Sequence, residues 1–171
     1  MARLTVTVIG DDREHLVATL SGIATSHGAN WEESRISELA GKCAGVIVLS
    51  AADAKVAELT SALEAVGGQL EVAVQPAPDV PHAPRQRLAI HVLGNDQPGI
   101  VHEVSNVLAR AGLSIDTMRT ECLDAPMAGG QLFEAHIVGS VSASFDSGPV
   151  RRDLERLASE IQVDIDLAEA E

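Results

Sequence analysis

A strand-to-helix turn in the second half of the sequence carries residue types that can hold an amino acid. It reads Gly-Asn-Asp-Gln-Pro-Gly-Ile-Val over residues 94–101. Pro98 suits the first turn of a helix, Asn95 or Asp96 can cap it, and Gly99 lets a ligand approach the backbone. The N–H groups at the helix start would receive a carboxylate, and the acidic side chain beside them an ammonium. A capped turn without a ligand is the simpler interpretation of these residues.

Other residues that could perform chemistry lack the spacing that catalysis or metal binding needs. The serines have no nucleophile-elbow context, and Glu32, Glu33 and Asp116 are interpreted as residues of a solvated strand face or edge. Cys43 and Cys122 show no metal-type pairing and no signal for a lowered pKa, so we expect small buried or half-buried side chains.

The histidines are scattered along the chain, and their spacing does not put any two of them on one helical face. No metal site is therefore predicted. Those considered are His15, His27, His91, His102 and His136. We therefore expect no catalytic residue, no metal and no cofactor.

Charge and composition exclude several classes of partner. The 12 basic and 25 acidic residues give a net charge of −13 without any basic run, which disfavours direct binding to nucleic acid. Tyr is absent and aromatic residues make up 2%, so base stacking on the protein is also disfavoured. No segment approaches the roughly 18 consecutive apolar residues of a membrane span. With two unpaired cysteines and no signal-peptide pattern, the sequence favours a cytoplasmic protein without a membrane partner.

The chain is an internal duplication with a period of 84 residues. Residues 4–35 align with residues 88–119 without a gap, with identities that include Gly10/Gly94, Asp12/Asp96 and Gly28/Gly112. Between the copies, four prolines in residues 76–84 indicate an extended linker. We therefore predict a first domain at 1–75, a linker at 76–87 and a second domain at 88–171.

The hydrophobic period changes in the same order within each copy. Leu4, Val6 and Val8 alternate as in a strand, and helical spacing follows until Gly28 ends the helix. The remaining pattern predicts strands near 31–39 and 45–50, a second helix around 56–66 and a last strand at 70–74. Copy two repeats this order, with its central strands near 115–122 and 132–139. The order β-α-β-β-α-β predicts an α+β protein of two tandem ferredoxin-like domains, each a four-stranded antiparallel sheet with two helices on one face.

These motifs resemble the ACT domain, a family of amino-acid-sensing regulatory modules with this fold. The turn at 94–101, its helix and Ala-Gly-Leu-Ser-Ile at 111–115 carry the resemblance. Copy one, with His-Gly-Ala-Asn-Trp at 27–31 and Leu-Ala-Gly-Lys-Cys-Ala-Gly at 39–45, is similar to the tandem-ACT glycine cleavage system transcriptional repressors. In such proteins regulation is thought to run through a partner transcription factor.

The resemblance also implies where a ligand would bind. In this family the site uses the first-strand loop and the start of the second strand, at an interface between ACT copies. The matching residues here are Asn95, Asp96, Gly99 and Ser114 in copy two, and Asp12 and Asn30 in copy one. Copy one departs from the pattern, because Arg-Glu-His at 13–15 stands where Gln-Pro-Gly stands in copy two.

The resulting hypothesis is a regulatory protein and not an enzyme. It would sense a small amino acid, with glycine or serine favoured, and modulate transcription of amino-acid (glycine) metabolism through a partner regulatory protein. The alternative is a protein–protein adaptor whose ligand sites are vestigial. Homodimerisation, the identity of the partner, and use of one or both ligand sites stay open.

Overall fold

The chain divides into two compact units, Met1–Pro81 and His82–Glu171. The structure is a computed structural model that describes residues 1–11, 14–66, 70–77, 85–124 and 130–169. Asp12, one of the predicted ligand residues, lies outside these ranges.

The observed element order confirms two successive β-α-β-β-α-β units. The first unit contains β1 (Ala2–Asp11), α1 (Leu16–Ser26), β2 (Asn30–Leu39), β3 (Lys42–Ala51), α2 (Val56–Glu64) and β4 (Leu70–Pro76). The second contains β5 (Arg85–Asn95), α3 (Ile100–Arg110), β6 (Ser114–Asp124), β7 (Gln131–Ser142), α4 (Ser147–Ile161) and β8 (Val163–Glu169). A single 3₁₀ turn at Asp53–Lys55 leads into α2.

Each unit has one four-stranded antiparallel sheet of the predicted type. The strand orders are β2-β3-β1-β4 and β6-β7-β5-β8, so β2 and β6 are edge strands. Since β3 is antiparallel to both β1 and β2, and β7 to both β5 and β6, the first two strands of each unit run in the same direction. The end of the first strand therefore lies far from the start of the second.

The helices cover one face of each sheet because the strand residues alternate between core and solvent. In β5, Leu88, Ile90 and Val92 are at most 2% exposed, and they pack with buried residues of α3 and α4 such as Leu108 and Leu154. The first unit has an equivalent aliphatic core. Two separate cores, built almost without aromatic side chains, hold the two units.

Both first helices end as the sequence predicts. Gly28 and Gly112 have φ of 71° and 76°, the left-handed conformation that glycine adopts without a steric penalty. The N–H groups of Ala29 and Leu113 then return to carbonyls of the last helical turn, those of Ala24 and Leu108.

The strands are longer than the hydrophobic pattern predicts. β3 covers Lys42–Ala51 and β7 covers Gln131–Ser142, because backbone pairing continues past the apolar residues that mark a buried strand. Near the predicted linker, β4 ends at Pro76 and β5 begins at Arg85. Among the described helices, none is long and apolar enough to cross a bilayer.

An irregularity at the same place in β2 and β6 holds an acidic residue. The register shifts between Trp31 and Glu33 in β2, and between Ile115 and Thr117 in β6. The residues left over are Glu32 and Asp116, which the sequence interpretation assigned to a solvated face or edge. A β-bulge turns such a residue out of the normal alternation, and here each carboxylate meets a serine of the neighbouring strand.

Candidate functional site

An open groove of about 640 Å³ lies beside the loop that joins β5 to α3. Asp96, Gln97 and Gly99 line it from the loop, and the first turns of α3 complete one wall. Cys122 of the edge strand β6 and Phe133 of β7 line the opposite side. The predicted ligand loop thus borders an open, mostly apolar groove that also carries polar side chains, a combination found in small-molecule sites.

Gly99 gives the start of α3 its particular geometry. Its φ is 103°, and a Cβ added there would meet no atom within 4 Å. Gly99 is the N-cap of α3, and no side chain among the described residues hydrogen-bonds to that helix end. A ligand can therefore approach the first backbone N–H groups of α3 without displacing a protein side chain.

The predicted capping role of Asn95 or Asp96 is wrong. The helix begins at Ile100, because the left-handed backbone of Gly99 is not helical. Pro98 therefore lies before the helix and not in its first turn. The side chain of Asp96 is exposed and borders the groove, while its N–H donates a 2.9 Å hydrogen bond to the carbonyl oxygen of Gln131. This bond attaches the loop to the start of β7.

Asp96 and Gly99 lie together, but Ser114 lies at the other end of the same sheet. Asn95, at the end of β5, is opposite Leu132, whereas Ser114 is opposite Ser140, eight residues further along β7. At ~3.3 Å per residue the separation is about 26 Å. Within one unit, Ser114 and Asp96 cannot contact the same amino acid.

Copy one has the same backbone turn with a different residue. His15 takes the place of Gly99, with φ of 74°, and it too precedes its helix without a side-chain cap. An imidazole therefore projects where copy two has open space. Asn30 is exposed at the start of β2 opposite Ser50, the position equivalent to Ser114.

Sequence reasoning missed several residues that border the groove. Ser105 and Val101 face it from α3, and Cys122 faces it from β6. Cys43 is buried as predicted, but Cys122 is exposed, which contradicts the expectation for that cysteine. The sequence signal that could have found two of them is helical spacing. Val101 and Ser105 are four residues apart in α3 and therefore lie on the same face of the helix.

A second polar cluster lies on the sheet face away from the helices. It contains His91, Glu134 and His136, and the two imidazole rings stack with centroids 4.6 Å apart. Helical spacing does not reveal these histidines, because they meet across the antiparallel strands β5 and β7. Glu134 and His136 are two residues apart on one strand and therefore share a face of the sheet. Pairing that strand with the strand of His91 could have predicted the cluster.

Comparison with known proteins follows the same division into two units. A model of the ACT domain matches residues 2–76 and again residues 86–168. The chain belongs to the ACT domain family. It is an ACT-domain regulatory protein with two tandem copies of the domain, as the resemblance implied.

Three relatives illustrate how far the likeness to this ACT protein extends. A UPF0237 protein of Methanopyrus kandleri is 40% identical over 76 residues, covering 43% of this chain and 84% of that protein. The crystal structure of an unknown protein from Galdieria sulphuraria has 33% identity and a TM-score of 0.89, covering 99% of both chains. A proposed glycine cleavage system transcriptional repressor has a TM-score of 0.72 at 15% identity over 99% of this chain and 98% of that chain, which shows a shared fold.

Proposed function

We propose that this ACT-domain protein senses a small amino acid at the β5–α3 groove and modulates transcription of amino-acid metabolism through a partner protein in the cytoplasm. The observation that carries the proposal is the juxtaposition of Asp96 with the open N-terminus of α3 at Gly99. An α-amino acid carries one group for each: the carboxylate suits the backbone N–H groups, and the ammonium suits the Asp96 carboxylate.

Glycine and serine are the favoured ligands. Gly99 leaves space directly at the backbone, where a ligand with a small side chain approaches most closely. The transcriptional part of the proposal, and its link to glycine metabolism, rest on the resemblance of residues 27–45 to the repressor group. The net charge of −13 supports action through a partner instead of direct contact with DNA.

A thermal-unfolding screen against the twenty amino acids tests the ligand. At about 100 times its dissociation constant, a ligand of the folded state adds about 2.7 kcal/mol of stability, which raises the midpoint by roughly 5–10 °C. Acetate and methylamine are the matched controls, because each carries only one of the two charged groups. We expect a shift with glycine or serine and none with either control at the same concentration.

An adaptor without a ligand is the second candidate. Near the groove, the apolar side chains of Val101 and Met118 are 43% and 37% exposed, and exposed apolar side chains also suit contact with a protein segment. If no amino acid shifts the unfolding midpoint, the sensor proposal is wrong and the adaptor takes its place.

A further inference from the structure

Three side chains on the face of the second sheet away from its helices bring their donor atoms close together. The Oε1 atom of Glu134 lies 2.7 Å from Nε2 of His91 and 3.3 Å from Nε2 of His136. All three donor atoms lie within 4.8 Å of one another. His91 and His136 are directly opposite each other in the β5–β7 register, and Glu134 is two residues from His136 on the same face.

The fold itself does not require histidine or glutamate at these positions. In the first unit the residue equivalent to His91 is Thr7, and its partner across the strands is Val46. Ala44 stands at the position of Glu134, two residues before Val46 on β3. The same sheet therefore forms with small or apolar residues, and the cluster is particular to the second unit.

The surroundings of the cluster favour a cation. Asp166 is opposite His91 on β8, Asp164 lies two residues before it, and Glu121 is opposite Glu134 on β6. Directly opposite residues share a face of the sheet, so these carboxylates add negative charge around the cluster. Arg119 is opposite His136 on β6 and brings one positive charge to the same face, with its guanidinium 3.6 Å from Glu121.

Glu134 contributes the carboxylate of the cluster, with Oε1 at 2.7 Å from Nε2 of His91. Its side chain is 21% exposed, and that of His136 is 57% exposed, so an ion can reach the cluster from solvent.

We propose that His91, Glu134 and His136 bind one transition-metal dication, for which Zn²⁺ is the probe. Imidazole nitrogens and a carboxylate oxygen are a donor set that Zn²⁺ accepts, with bonds of about 2.0–2.2 Å and tetrahedral geometry. Donors in that geometry lie about 3.3 Å apart, whereas the two Glu134–histidine separations here are 2.7 Å and 3.3 Å and all donor pairs lie within 4.8 Å, so small side-chain movements would complete the site. The fourth position is left for water or for another ligand.

The proposal is independent of the amino-acid groove, which lies on the helix side of the sheet. An ion here would join β5 to β7 at the centre of the second unit and so stabilise the folded state of that unit. A bound dication would also reduce the negative charge of this face of the sheet, which changes the charge of a partner that could bind there.

Calorimetric titration of the full-length, metal-free protein with Zn²⁺ tests the site. We expect one saturable equivalent per chain and a rise in the unfolding midpoint that EDTA reverses. His136→Ala and Glu134→Gln should each weaken binding by at least about 10-fold, because even the loss of an outer-shell partner of a metal costs about 10- to 100-fold. Glu134→Gln preserves the shape of the side chain, so its Zn²⁺ affinity still tests the site if His136→Ala fails to fold.

His15→Asn is the matched control. It removes an exposed histidine from the first unit at a left-handed position that asparagine tolerates, and Zn²⁺ binding should not change. The proposal is overturned if the wild-type protein shows no saturable binding, if both cluster variants bind as tightly as wild type, or if His15→Asn weakens binding to the same extent as they do.

Discussion

The hydroxyl of Ser140 donates a 3.0 Å hydrogen bond to the Oδ1 atom of Asp116, at the point where β6 departs from regular register. Ser140 is only 5% exposed. In the first unit, Ser50 and Glu32 form the equivalent pair, and Arg3 also contacts the Glu32 carboxylate at 3.0 Å. The duplication has therefore retained a buried serine that holds an acidic residue at a strand irregularity.

The Ser50–Glu32 pair predicts an effect of pH. The hydrogen bond from Ser50 is the main cause of a lowered pKa at Glu32, and Arg3 contributes in the same direction. A carboxylate with a lowered pKa stabilises the folded state above its unfolded pKa, and this contribution is lost as pH falls through the folded pKa.

Ser50→Ala should therefore raise the pKa of Glu32. Protonation of Glu32 at low pH should then cost the folded state less stability than it does in the wild-type protein. NMR titration of the Glu32 carboxyl carbon measures the pKa directly. Arg3→Gln should raise it as well. An unchanged pKa in Ser50→Ala would mean that the serine does not hold the carboxylate in solution.

Two glycines should respond to alanine in opposite directions. Gly99→Ala places a Cβ at φ of 103° and should destabilise the protein by about 1–2 kcal/mol, since an L-residue is strained there. Gly22→Ala lies inside α1 with no atom within 4 Å of the new Cβ, and should stabilise by about 0.5–1 kcal/mol. Urea unfolding of both variants measures this. Equal effects of the same sign would contradict the left-handed turn at Gly99.

Asp96→Asn should weaken binding of the amino acid while leaving the protein folded. A charge-assisted hydrogen bond contributes about 1.5–3 kcal/mol, so affinity should fall roughly 10-fold to 100-fold. Asp153→Asn, which removes the same charge from α4 outside the groove, is the matched control. Calorimetric titration compares the two, with circular dichroism as a check of folding. Wild-type affinity in Asp96→Asn would contradict the proposal that Asp96 binds the ammonium of the ligand.

The protein alone should not bind duplex DNA at physiological salt. Affinity for DNA depends on neutralising phosphates with Lys and Arg, and here acidic residues exceed basic ones by 13. Fluorescence polarisation with promoter fragments at several salt concentrations is the measurement. Tight, sequence-specific binding without a partner protein would contradict this prediction, and with it the proposal of action through a partner.

Local patterns were sufficient to predict the repeated fold. The alternation at Leu88, Ile90 and Val92, and the glycines that end the first helices, act over a few residues, so periodicity and backbone preference reveal them. The start of α3 was predicted less well. Pro98 and Asp96 are typical of a helix beginning, but the left-handed Gly99 delays the helix to Ile100.

By itself the sequence determined the duplication, the order of strands and helices, and the loop at Asp96 and Gly99 as the place to look for a ligand. Tertiary structure decided which residues meet. His91 and Glu134 are 43 residues apart and become neighbours only through the β5–β7 register, while Ser114 is carried to the far end of the sheet from Asp96. Strand register depends on the packing of the whole sheet against its helices, and that information is not present in any single segment.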